Sequence, residues 1–480
     1  MRPQTFLSTL TQAVASNGGS GWGTLFIAAP ALKGDHTKAL GPIRSLAEHD
    51  TLLGGRASYS ELRDQLEAFF AEGGKEAYVA RLTRSPVKAT IGVIDGSAGT
   101  VATVNAKSVG AWANGYQMVL TAIAGTGITS TATWTLKDAA GNTVDSIVGA
   151  TAAAAIAYAW KEVDLVAGAG TGTLVAATST LASGADGNAS VDSTDLTAAL
   201  PLFVKELGTG IVAAPMLDAT AVAGILEAHA LAYNRAWLVH STDTPTAATI
   251  AAQGTASRAA GRIHGGILAG KVKLPALATA PTTLRTVSPV GAVAGLIARS
   301  DEKGSPARAA AGIVNGAFRY VVEATQSFSD TDLNTLHDAG VNAIRTVRGV
   351  LCLYDFITPA AQTGAGSEWL GLGQVRAHAA ILAELDEIAE FYQFQLLDGP
   401  SSTILSDFHA SITSMLMGFH GNKTLYGDRA ADAFSVNVNG VNNAATMTAR
   451  ELHAAVAVKY SETNLWTYID VTKVPISGTV

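Results

Sequence analysis

Residues 288–358 read SPVGAVAGLIARSDEKGSPARAAAGIVNGAFRYVVEATQSFSDTDLNTLHDAGVNAIRTVRGVLCLYDFIT. An apolar run punctuated by glycine, 290–298, leads into a polar turn at 300–305. Ser329 with Asp332 three residues on writes a capping box, in which each side chain takes the backbone N–H of the other residue. Leu333 and Leu336 give the helix that follows an apolar stripe. Gly340 supplies the left-handed position that ends it. Residues 341–344 and 350–353 then read as two strands around an Arg348-Gly349 turn. Nothing in the stretch forms a catalytic constellation.

The chain has 480 residues, enough for two or three domains. Hydrophobic residues make up 48% and charged ones 15%, against about 25% charged in ordinary soluble domains. A surface this weakly charged has two readings: the codon-biased composition of a GC-rich genome, or a chain much of whose surface lies against copies of itself. The net charge of -7 argues against direct nucleic-acid binding, which needs a basic patch to neutralise phosphates. Cys352 is the single cysteine and sits in an apolar run, where a buried, inert thiol is expected. Residues 1–16 lack the apolar core of a secretory signal, and no window of about 18 apolar residues occurs. Folding in a cytoplasm without membrane insertion is expected.

Along the chain, residues 1–21 read as an arm, with Phe6, Leu7 and Leu10 as apolar anchors before a flexible Asn-Gly-Gly-Ser-Gly linker. A first core segment, 22–88, holds a strand at 24–29, a helix opened by a capping box at Ser58 and Glu61, and a strand at 77–82. Residues 89–196 are rich in Gly, Ala, Thr and Val and read as a β-rich insertion. Its strands are placed at 117–123, 131–136 and 142–148, with a turn at 138–142 and a short helix at 152–160. A second core segment, 197–461, returns to alternating strands (211–215, 235–241) and helices (220–234, 247–261). It continues with two long amphipathic helices, 374–394 and 401–419. Ile381, Leu385, Ile388 and Phe391 form the apolar face of the first, with Glu384, Glu387 and Glu390 assigned to solvent. Strands are expected at 433–439, 452–460 and 465–476, the last placing Leu465, Trp466, Tyr468, Ile469 and Val471 in a long terminal strand. The fold class is mixed α/β: a layered core, a β-rich inserted domain and extended arms at both ends.

Enzyme signatures fail where the chemistry would reside. Residues 265–271 (GGILAGK) fit seven positions of a phosphate-binding loop, but Val272 stands where a magnesium-binding hydroxyl is needed, and Pro275 forbids the following helix. Gly168 to Gly172 lacks dinucleotide spacing and reads as a turn. The histidines, His409 and His420 included, show no metal-ligand spacing. No GxSxG elbow occurs. No catalytic residue, cofactor or metal is assigned.

The order of segments resembles the contractile phage tail sheath proteins. The resemblance rests on an early strand leading into a turn at Gly41-Pro42 and LLGG at 52–55, then Phe69, Phe70, Gly73, Gly74, Tyr78, Val79 and Arg81. Gly110, Trp112 and Asn114 follow at the insertion. The signature stretch runs VAGLIARSD from Val293 through Gly304 to Gly312, then LNxLxxxGVNAIR from Leu333 to Arg345. Val438 to Asn443 and KVPI at 473–476 close it. Ser305-Pro306-Ala307 and Leu353-Tyr354-Asp355-Phe356 stand where many sheaths carry a Trp and an aromatic-Gly-Ala-Arg-Thr run.

The resemblance implies a structural subunit and no enzyme. Copies would stack as rings into a helical lattice, an open head-to-tail assembly, around a tail tube protein, with baseplate and tail terminator as further partners. The arms would add strands to sheets of neighbouring copies. Contraction from a metastable extended state would drive the tube through the host envelope for genome ejection, placing the protein in a virion tail assembled in the host cytoplasm. The sheath of a non-phage contractile injection system is the alternative, and an α/β enzyme with a degenerate nucleotide site a more distant one.

Overall fold

The computed structural model describes residues 21–465, apart from 243–245, 398 and 400–402. A seven-stranded sheet is its backbone, ordered Leu40–Ile43, Ala77–Arg81, Leu25–Ala29, Ile211–Ala213, Ala236–His240, Gly265–Leu268, Val341–Asn342. All neighbours pair parallel except the Leu40–Ile43 edge. Parallel strands need both faces covered, and the central ones read as continuous apolar runs: LFIAA and AWLVH are buried at every residue. Gly265–Leu268 is one of these strands, with no turn at its start to cradle a phosphate.

The helices divide between the two faces. Ala219–Ala232, Ala247–Ala259 and Asp330–Asp338 cover one, with Leu226, Ile250 and Leu336 against Phe26, Trp237 and Ile267. Leu62–Glu72 and Val290–Asp301 cover the other. The second of these, built from the opening apolar run, is buried at every position but Arg299. Its contact with Leu62–Glu72 is close because glycines face it: a Cβ on Gly291 would lie 2.3 Å from the Gln65 carbonyl oxygen, and one on Gly295 2.5 Å from that of Phe69.

Polar groups fix the register of the two helices. Gln65 Oε1 accepts the Gly291 N–H at 2.7 Å, and Gln65 Nε2 donates to the Ser288 carbonyl at 2.9 Å. Glu61 accepts the Ser288 N–H at 2.8 Å. The first of these satisfies the Gly291 N–H, one of those that a helix start leaves unpaired, and the other two fix the residue that leads into the helix. At the far end Glu72, buried, accepts from Arg299 at 3.0 Å and from the Arg319 and Tyr320 N–H groups.

Residues 89–181 form a separate apolar cluster around Trp134 and Trp160. It lies between a four-stranded antiparallel sheet and the three-stranded sheet Thr90–Ile94, Thr100–Ala106, Val163–Ala167. The four-stranded sheet contains the three strands expected from the sequence, at Gln117–Ala124, Thr131–Lys137 and Thr143–Ala150, plus Ala177–Thr180. The 138–142 turn closes by Asn142 N–H to Asp138 Oδ1 at 2.8 Å. The Gly168–Gly172 turn packs on residues 95–100, with Gly172 donating to Asp95 at 2.7 Å.

Several expectations are corrected. The helix after Ser58 begins at Leu62, where Ser60 Oγ accepts the Leu62 N–H at 3.1 Å; Glu61 serves the neighbouring helix. Gly41-Pro42 lies inside an edge strand, with a cis peptide bond. The 341–344 segment splits, because Val341–Asn342 joins the main sheet while Ile344–Val347 pairs with Val350–Leu353 around Arg348 and Gly349, both at positive φ. The 152–160 helix ends at Ala157. Leu196, set at the insertion's end, packs in the core cluster with Phe26 and Phe203. Glu384 is half-buried, and Phe391 is 57% exposed, its neighbour Tyr392 taking the packing position on Phe408 of the partner helix. The capping box at Ser329 and Asp332 forms as read, and Gly340 takes φ +75°.

Two predictions follow from this packing. Gly291→Ala improves helix propensity by about 1 kcal/mol but drives a methyl into a backbone carbonyl, so a net loss of about 1–2 kcal/mol is expected in urea unfolding; a stabilised variant would contradict the close approach. Burial, reinforced by Glu387, pushes the Glu384 carboxyl up to about 7. A raised carboxyl costs stability progressively as pH rises from its unfolded value near 4.5 through 7. Glu384→Gln should therefore flatten that fall in a pH series of melting temperatures.

Candidate assembly surface

The last helices and strands form a satellite to the core. Leu372–Tyr392 and Thr403–Gly421 pack through Ile381, Leu405, Phe408, Ile412 and Leu416, and a two-stranded ribbon covers them. The ribbon pairs Phe434–Asn437 with Ala455–Val458 antiparallel. Period-2 alternation turns Phe434, Val436, Val456 and Val458 onto the helices, and Ser435, Asn437, Ala455 and Ala457 to solvent. The Lys459 N–H to Ala433 carbonyl bond, 2.8 Å, sets the ladder's phase. Val436 and Val456 therefore aim their N–H and C=O groups outward, one on each edge. Among the described residues, no further backbone hydrogen bond reaches 435–437 or 455–458. Open strand edges are templates for another chain.

A second hairpin, Ile344–Val347 with Val350–Leu353, is open on one side among the described residues. Gly316 and Phe318 occupy the other, through the Leu353 N–H to Gly316 and Phe318 N–H to Leu351 bonds. Arg345 of this hairpin stacks on Tyr354, 4.6 Å from the ring centroid.

Both ends of the described chain meet the satellite. Arg376, in the second turn of the Leu372–Tyr392 helix, makes a bidentate pair with buried Asp301: Nη1 to Oδ1 at 3.0 Å, Nη2 to Oδ2 at 2.5 Å. The same guanidinium donates to the Pro306 carbonyl at 3.1 Å and to the Trp22 carbonyl at 3.3 Å. The Trp22 ring sits 5.7 Å from Phe419, and a Cβ on Gly23 would lie 3.0 Å from the Ala298 Cα. On the other side, Tyr460 OH bonds His378 Nδ1 at 2.7 Å, with Trp369 5.0 Å from the His378 ring. Burial raises the Tyr460 phenol and lowers His378, so near neutral pH the phenol donates to a neutral imidazole. Gln374 donates to Glu462, and Ser461 N–H bonds the Thr424 carbonyl at 3.0 Å. Thr424 Oγ1 lies 2.8 Å from Ser305 Oγ.

Of the arm residues named from sequence, Leu465 is 39% exposed and lines a groove of about 850 Å³ with Arg308, Leu333, Arg345 and Tyr354. Phe6, Leu7, Leu10, Trp466, Tyr468, Ile469 and Val471 lie outside the described residues. Sequence reasoning missed Gln374, Arg376 and His378. The available signal was a basic residue set among small and apolar ones, in GQVRAHAA. Cys352 is buried, and burial pushes its thiol up. Among the described residues no three His, Cys, Asp or Glu side chains gather as metal ligands, and no helix is long and apolar enough to cross a membrane.

The Arg376–Asp301 pair carries a prediction. Arg376→Met should cost about 3–5 kcal/mol by leaving a buried carboxylate unpaired, whereas Arg376→Met with Asp301→Leu should recover most of that loss. Urea unfolding of the four-member cycle reads both; additive losses would contradict direct pairing.

No protein-family model and no curated protein matches the chain. Solved structures do. The sheath tail protein of Listeria innocua is 15% identical, with a TM-score of 0.62 over 94% of this chain and 97% of that one. The sheath tail protein of Desulfitobacterium hafniense is 16% identical, with a TM-score of 0.59 over 87% and 90%. The contracted helical sheath of the anti-feeding prophage is 14% identical, with a TM-score of 0.55 over 98% of each chain. A likeness spanning nearly the whole chain includes the insertion and the satellite as well as the sheet. The protein has the fold of the tail sheath proteins of contractile systems.

Proposed function

We propose that the protein is a non-enzymatic subunit that polymerises into a contractile sheath, through strands exchanged between copies. The observation that carries this reading is the ribbon, whose two edges are open among the described residues, in a chain whose Trp22 and Ser461 both reach the satellite that the ribbon covers. A ribbon open on both sides accepts two strands, and main-chain hydrogen bonds supply strength without demanding a particular side chain. The donors are the arms, 1–21 and 462–480, with Phe6, Leu7, Leu10, Leu465, Trp466, Tyr468, Ile469 and Val471 as their contact residues. Each copy then gives two strands and receives two, which propagates a lattice that does not close on itself. The insertion, residues 89–196, faces away from a tail tube protein at the centre, and baseplate and tail terminator cap the ends.

Contraction moves the subunits to a lattice with more buried contact while the exchanged strands keep them joined, so the stroke needs no nucleotide. In a phage tail this stroke drives the tube through the host envelope for genome ejection. The likeness to the anti-feeding prophage sheath supports a second reading, a contractile injection system that carries no genome. Capsid and terminase genes beside this one would favour the tail, and their absence the injection system.

Electron microscopy of the purified chain tests the exchange. The full chain should form tubules, and a chain lacking 462–480 should not. Val456→Pro should also abolish tubules, because proline removes an outward N–H that the monomer leaves unused. Normal tubules from either variant would refute strand exchange at this ribbon.

A further inference from the structure

The two arm roots share their contacts. Arg376 holds Trp22 with one nitrogen and the 301–306 turn with both. Two residues to either side, on the opposite face of the same helix, Gln374 and His378 hold Glu462 and Tyr460. The 301–306 turn reaches the C-terminal root as well, through Ser305 to Thr424 and from Thr424 to Ser461. Phe419, five residues before Thr424, packs on Trp22. Two separate routes thus lead from one root to the other, both outside the seven-stranded sheet.

We propose that residues 301–306 and the first two turns of the Leu372–Tyr392 helix form a common anchor that couples the two arms. This rests on the reading of the arms as exchanged strands. Tension applied by a neighbour holding one arm then passes to the neighbour holding the other through a few buried bonds. The sheet is spared, and an arm that docks steadies the root of its counterpart. Coupling of this kind is a free energy shared between two sites and must act in both directions. Tyr460, Gln374 and Ser305 position the C-terminal arm, and Arg376 the N-terminal one.

Hydrogen–deuterium exchange on the unassembled full-length chain tests the coupling. Tyr460→Phe keeps the ring and removes only the bond to His378, leaving no buried charge exposed. It should speed exchange roughly tenfold at Ser461, as loss of one buried hydrogen bond implies, and also at Thr24 in the opposite root. Ser305→Ala should do the same, and Arg376→Lys should speed Ser461 as well as Thr24. Amides of the Ala236–His240 strand should not change. Acceleration confined to the root that was mutated would overturn the common anchor. Because the reading is taken on single chains, absence of tubules would count against the sheath function alone and would leave the exchange result standing.

Discussion

The Val290–Asp301 helix must be buried from all sides, and most of the architecture answers that requirement. Its apolar sequence has no polar face to give to water, so the sheet covers it from one direction and Leu62–Glu72 from another. Gly291 and Gly295 let that second helix approach to backbone contact. Burial leaves the helix ends in need of partners. Glu61 and Gln65 supply them at the start, and Arg376 pairs with Asp301 at the close. A buried ion pair gives little net stability against an apolar replacement, but losing one partner is costly. Asp301 therefore fixes where the Leu372–Tyr392 helix must sit, and with it the ribbon and both chain ends.

A rigid centre with adhesive periphery is the arrangement a lattice subunit needs. The core sheet has its strands covered on both faces. The ribbon does the reverse: it has one covered face and, over Phe434–Asn437 and Ala455–Val458, two edges unpaired among the described residues. Natural proteins usually shield such edges, so leaving two open on the same element is a feature to be explained by what pairs with them. The weak surface charge fits the same picture, since copies packed side by side at high density would repel one another if strongly charged.

Much of this was legible in the sequence. Strands such as Leu25–Ala29 and Ala77–Arg81 and helices such as Ala219–Ala232 followed from apolar runs and periodicity, and the Ser329 capping box was readable residue by residue; the Val290–Asp301 run did not declare itself a helix, nor Gly265–Leu268 a core strand. The rest depended on distance in three dimensions. The false start at Ser58 arose because Glu61 looks like a capping partner locally, yet spends its carboxylate on Ser288, 227 residues away. Thr90–Ile94 and Thr100–Ala106 escaped notice because Gly, Ala and Thr blur the alternation that marks a strand, and Val163–Ala167 because five residues are too short a run to stand out. Arg376 was not singled out from the sequence; only the meeting of Asp301, Pro306 and Trp22 around it reveals an anchor. The arm residues were chosen for being apolar in segments with no core of their own. Leu465 lies at the groove beside the C-terminal root, and the remainder stand on the proposed exchange.

The most direct measurement is a cryo-electron microscopy reconstruction of the assembly formed by the full-length chain. The account predicts a helical tube in which Phe434–Asn437 and Ala455–Val458 are the inner strands of a four-stranded sheet, flanked by arms from two other copies. A tube whose ribbon edges remain unpaired, or a protein that stays monomeric at high concentration, would contradict it.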